Sequence, residues 1–151
     1  MSIAQTATTS FKVELLQAVH NFGPTSPDTF KIALYTGAAN LSASTTAYTP
    51  TGEVSSSGTG YTTTGLVLTI STYPTSGNNT AQVPTAYISF LNATWTNATF
   101  TARGALIYND TAPGNPSVAV LDFGADKTVN NDTFQVIFPT PNANSAIVRI
   151  S

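Results

Sequence analysis

The sequence predicts a mainly β, single-domain protein: a β-sandwich or flattened barrel of about seven strands with one N-terminal helix. Three observations carry this. Short runs of aromatic and β-branched residues are cut apart by clusters of Gly, Pro, Asn and Ser, apolar residues recur at helical spacing only near the N-terminus, and 151 residues is the length of one domain with a real core. Strands with alternating patterning cannot bury both faces in one layer. Two packed sheets are therefore expected, with the helix across an open edge or end.

Residues 1–9 are small, polar and aperiodic, which predicts an N-terminal arm that is disordered alone or ordered only against a partner, ahead of a β-rich domain over residues 10–151. Ser10 reads as an N-cap. Phe11, Leu15, Val19 and Phe22 then follow at helical spacing, with Leu16 beside them, for about three turns before Gly23-Pro24. His20, the sole histidine, falls in the last turn, without carboxylates or cysteines nearby to complete a metal set. Thr29 to Thr36 alternates as a half-buried strand.

Ala38 to Gly65 is rich in Ser, Thr and Gly, with Tyr48, Val54 and Tyr61 as its large anchors and Glu53 as its charge. A compact domain rarely keeps so long a structureless loop unless it binds something or a neighbour holds it. Tyr48, Glu53, Val54 and Tyr61 are thus candidate subunit-interface residues, with a solvated surface loop as the alternative. Gly52, Gly58 and Gly60 neither follow a strand nor precede a helix, and no Lys follows them, so a phosphate-cradling loop is excluded.

Further strands are expected at Leu66–Ile70, Ala86–Leu91, Phe134–Phe138 and Ala146–Ile150, with an exposed loop over Tyr73–Asn79. Trp95 reads as a core anchor, or alternatively as a platform for stacking on a sugar. The clearest signal is the hairpin from Thr99 to Gly124. Phe100–Tyr108 and Val118–Phe123 flank a turn carrying Pro113-Gly114-Asn115-Pro116, and a centre between Ala112 and Pro113 places Arg103 opposite Asp122. A structural ion pair that fixes register is expected there; a ligand-binding Arg in a cleft is the alternative.

Charged residues make up 8% of the chain, against roughly 25% on average, and the net charge is −2. Such a surface suits a chain whose neighbours cover much of it. The five basic residues are scattered singly, which argues against nucleic acid, and the absence of Cys removes disulfides and thiolate sites. No apolar run long enough for a membrane span or signal peptide is seen. No cofactor, metal site or catalytic residue is expected. The acids stand singly apart from Asp122 and Asp126 beside a probable turn, and no nucleophile elbow surrounds any serine. Asn-x-Ser/Thr triplets such as that at Asn92 are what a chain rich in Asn and Thr produces by chance.

FKVELLQAVHNF followed by DTFKIALYTG, the GEVSSSGTGYTTTG loop, ARGALIYND and VAVLDFG together resemble a family of small virion structural proteins of tailed bacteriophages. The resemblance runs from Phe11 to Ile150 and contains no chemical motif. It implies a non-enzymatic virion protein, made in the bacterial host cytoplasm, whose partners are the major capsid protein or tail components. A capsid decoration or cement role, as a homo-oligomer or shell-bound subunit, is the first expectation. The alternative is a tail-, neck- or fibre-associated protein or adhesin touching host glycans through Tyr48, Tyr61 or Trp95. The extra serines Ser55–Ser57 set this chain apart from the compact Gly-rich turn usual at that loop.

Overall fold

The computed structural model describes residues 1–151 and builds the chain from two antiparallel sheets and one short helix. In chain order the elements are β1 (Thr6–Ala7), α1 (Thr9–Leu16), β2 (Phe30–Tyr35), β3 (Leu66–Leu68), β4 (Ile70–Asn78), β5 (Pro84–Phe90), β6 (Ala93–Asn109), β7 (Ser117–Val136) and β8 (Val148–Ile150). One sheet has the order β1-β7-β6-β2-β3 and the other β4-β5-β8. The mainly β class with one helix is the one the alternating pattern predicts.

The period of two in β2 and β6 sorts their side chains onto two faces. Phe30, Ile32 and Leu34 of β2, with Ala105 and Ile107 of β6, enter the principal core, which Ile88 and Phe90 of β5 and Val148 of β8 close from the other sheet. Apart from Lys31, the residues between them are buried as well. Ala33, Tyr35, Leu106, Tyr108 and Val120 form a second core on the outer face of the five-stranded sheet, under Ile3, Ala39 and Leu41. Strand β2 was expected to be half-buried and is almost wholly buried, because the chain after it folds back as a third layer.

The N-terminal segment belongs to that layer, which corrects the reading of residues 1–9 as a free arm. Thr6 and Ala7 pair with Val120 and Ala119, the Ala4 N–H donates to the Leu41 carbonyl at 2.9 Å, and Ile3 is buried against the sheet. Its approach needs Gly104. A Cβ there would lie 2.4 Å from the Leu121 carbonyl oxygen and 2.9 Å from Ile3 Cγ2, closer than any side chain is tolerated.

The helix is shorter than its periodicity suggests. Thr8, not Ser10, caps it, accepting from the Phe11 N–H, while the same buried hydroxyl meets Ser117 Oγ at 2.9 Å. Beyond Leu16 the chain leaves the helix and Ala18 adopts φ 58°. Phe22 then lies flat on Phe30, with ring centroids 4.2 Å apart and 5° between the planes, a contact that a continued helix would not make. Tertiary packing overrides the local pattern here.

The hairpin is longer than expected and its register differs. Pairs summing to 225 occur only at Tyr108 and Ser117; past a bulge they sum to 226, so Gly104 faces Asp122, and Arg103 falls in a second bulge. The predicted strand Phe134–Phe138 is the far end of β7, and Trp95 on β6 pairs with Phe134. Residues 73–78, expected as loop, belong to β4. This is an edge strand whose bulge between Thr72 and Thr75 accommodates Pro74.

Candidate functional site

Loop 38–65 contains the densest polar cluster of the molecule. Glu53 sits at its centre: Oε2 accepts from Tyr48 Oη at 2.6 Å, and Oε1 accepts from Tyr61 Oη at 2.7 Å and from the Thr64 N–H at 2.8 Å. Tyr61 Oη in turn accepts from the Leu34 N–H, and the hydroxyls of Tyr35 and Tyr108 donate to the carbonyls of Thr49 and Thr64. The loop is therefore pinned to β2 and β6 by four tyrosines around one carboxylate. Burial first, and Glu53 second for Tyr35 and as hydrogen-bond acceptor for Tyr48 and Tyr61, hold these phenols well above the usual tyrosine range. Burial pushes Tyr108 up to about 12.

Of the candidate interface residues Tyr48, Glu53, Val54 and Tyr61, two are closed to another subunit and two, Tyr48 and Glu53, are half-buried. Val54 and Tyr61 are buried, and the polar atoms of Tyr48 and Glu53 are used inside the fold. The longest exposed run of the loop is its tip at Ser55–Gly58. Trp95 is also internal, 3% exposed, and stacks beside Tyr61 and edge-on to Phe134. Neither ring is able to lie on a sugar, which takes from the adhesin reading two of its three aromatic residues.

His20 sits in a second network, beyond the helix rather than in its last turn. Asn109 Oδ1 accepts from the N–H groups of Thr111 and Ala112, so its amide nitrogen donates, to Asp28 Oδ2 at 2.7 Å and to His20 Nδ1 at 3.1 Å. With Nδ1 accepting, the ring proton is on Nε2 and is given to Glu14 Oε2 at 2.9 Å. The sequence showed no carboxylate near His20; folding brings Glu14 to it directly and Asp28 through Asn109. Both ring nitrogens are engaged, and no group of three or more His, Cys, Asp or Glu converges as a metal set. The network ties the chain after α1 to the end of β6.

Arg103 and Asp122 do meet, Nε to Oδ1 at 3.2 Å, with side chains 35% and 26% exposed. The pair is half-solvated at a bulge, not buried in the strand. The Gly124 N–H, donating to Asp122 Oδ1, and then Arg103 hold the Asp122 carboxyl below its usual range. A bulge loop is the thing stabilised.

A series of clefts runs along a seam between β7, β1, β8 and α1. A cleft of about 460 Å³, walled by Phe123, Lys127, Phe134 and Ile147, runs into one of about 410 Å³ between β1 and β8 through shared Gln5, Leu121 and Ile147. That one continues through Ala7 and Arg149 into a third of about 480 Å³ against Lys12, Leu15 and Leu16 of α1. Leu16, Ile137 and Ile150 stand beside this seam 91%, 70% and 54% exposed. Lys31 pairs with Asp110 and Arg103 with Asp122, whereas Lys12, Lys127 and Arg149 pair with no carboxylate. Leu16 is legible in the sequence beside the apolar stripe of the helix; the convergence of the cations has no sequence signal.

Compared with family models, with curated proteins and with solved structures, the chain matches none.

Proposed function

We propose that the chain is a non-enzymatic structural subunit of a tailed-bacteriophage virion, bound to the major capsid protein shell as a decoration or cement protein. The observation that carries this is the contrast between its surfaces. The polar groups that chemistry would need, around Glu53 and His20, are consumed within the fold, while large apolar side chains stand uncovered along one seam. Exposed apolar surface rimmed by polar groups marks an interaction site, and a sparsely charged chain depends on such contacts to be held in place. The resemblance of its segments to phage virion proteins supports the same reading.

Quantitative mass spectrometry of purified particles, scaled to the major capsid protein, tests it. Hundreds of copies per particle are expected of a head decoration. A handful would move the protein to the neck or tail, and its absence from particles would overturn the virion reading.

A further inference from the structure

The seam is where the fold is unfinished. β1, two residues long, and β8, three residues long, are the outermost strands of their sheets, and each has one hydrogen-bonded neighbour. Both border the 410 Å³ cleft, which is lined by Thr6 and Ala7 of β1 and by Val148 and Arg149 of β8. Such edges present unpaired N–H and C=O groups. A strand laid between them would pair with backbone and place alternate side chains on apolar surface, near Phe123 and Phe134 at one end and Leu15 and Ile150 at the other.

Charge selects the occupant. The chain carries a net −2, yet the three cations without a carboxylate partner, Lys127, Arg149 and Lys12, stand one after another along these clefts. Asp122, which also lines the first cleft, is held by Arg103. Two copies joined about a twofold through their β8 edges would set Arg149 near Arg149, a like-charge pairing that opposes symmetric self-association.

We propose that the seam is a docking groove for an extended acidic segment of a partner chain. The segment adds as a strand between β8 and β1, with its carboxylates facing Lys12, Lys127 and Arg149. This names the docking surface of the subunit described above and rests on that reading.

The test uses the full chain and a labelled synthetic peptide of about ten residues in which glutamate alternates with valine and threonine. The same peptide with lysine in place of glutamate is the control, and both are titrated by fluorescence anisotropy. Saturable binding of the glutamate peptide alone is expected. It should weaken at least about tenfold in K12E/R149E and in K12E/K127E, the second leaving the bond from Arg149 to the Asn144 carbonyl in place, and fall as salt rises. No saturable binding, equal binding of both peptides, or full affinity in variants with native circular dichroism would overturn the proposal. So would a dimer in sedimentation that K12E/R149E dissolves, which would give the seam to a second copy. Copy number per particle is independent of all these results, so a failed groove and a failed virion assignment are told apart.

Discussion

Glu53 shows at the scale of one residue how a charge becomes structural. Truncation by Glu53→Ala leaves the Tyr61 hydroxyl and the Thr64 N–H without their acceptor, at about 1–3 kcal/mol for each, so a loss of about 2–6 kcal/mol in denaturant unfolding is expected. Glu53→Gln keeps one acceptor oxygen and should lose clearly less; equal losses would mean that packing, not hydrogen bonding, holds the cluster. The tyrosines add a pH dependence. Their folded values lie above the ordinary tyrosine value of 10.0, so the folded state holds these protons more tightly than the unfolded chain. The stabilisation is fully present below about pH 10 and is lost as pH rises towards about 12 for Tyr108 and beyond for the others. Tyrosinate absorbance from these four should therefore appear together with loss of near-ultraviolet circular dichroism, not ahead of it. Trp95 makes the opposite case. Its buried Nε1–H has no acceptor, so Trp95→Phe removes an unsatisfied donor along with some packing. It should stay within about 1 kcal/mol of the parent, where Trp95→Ala costs about 3–5.

At the scale of elements, β1 and the residues before it behave as part of the sheet. Deleting residues 1–7 removes the burial of Ile3, worth about 1.5–3 kcal/mol, and uncovers Leu41 and Val120. A free arm would be deleted at no cost to the midpoint of unfolding, so equilibrium denaturation decides between the two. How legible each element is depends on where its signal resides. β2 and the hairpin core are readable because Phe30, Ile32, Leu34 and Ile107 carry a period of two in a row of neighbours. β4 is not, since an exposed edge strand keeps Pro74 and Gly77 and has few apolar positions to alternate. The helix was overextended because Val19 and Phe22 fit its spacing, while the stacking of Phe22 on Phe30 that ends it is a contact between distant elements. The Arg103 and Asp122 pair was found by register arithmetic that is one residue off, and it forms because the bulge lets Arg103 reach across. Tyr48, Val54 and Tyr61 are legible as the loop's large side chains and Glu53 as its charge. That the loop folds inward is decided by Tyr35, at the end of β2, and by Tyr108, far along the chain on β6, whose hydroxyls bond the carbonyls of Thr49 and Thr64.

For the whole molecule, the consequence is that loop 38–65 is a layer of the fold with one loose tip. From Ala39 to Val54 it is stitched to four other segments. The Thr9 N–H donates to the Ala43 carbonyl, the Ser117 N–H to Thr46, the Tyr48 N–H to Asn115 and the Val54 N–H to Leu34, and Leu41 and Tyr35 share its core. Opening it exposes the outer face of the central sheet, so it has no low-energy route to unfold alone. Ser55 to Gly58 differs: it is an unbroken exposed run, and a Cβ at Gly58 would meet nothing within 4 Å. Limited digestion with a protease of broad specificity should therefore cut first between Ser55 and Gly58, and leave 39–54 intact until the whole chain unfolds in a single calorimetric transition. The nicked chain should stay associated and keep the cooperative transition, because both sides of the cut are held by separate contacts. Early cleavage between Ala39 and Val54, or a separate low-temperature transition, would show that the third layer opens by itself. In that case the tyrosine cluster would be accessible to a partner after all.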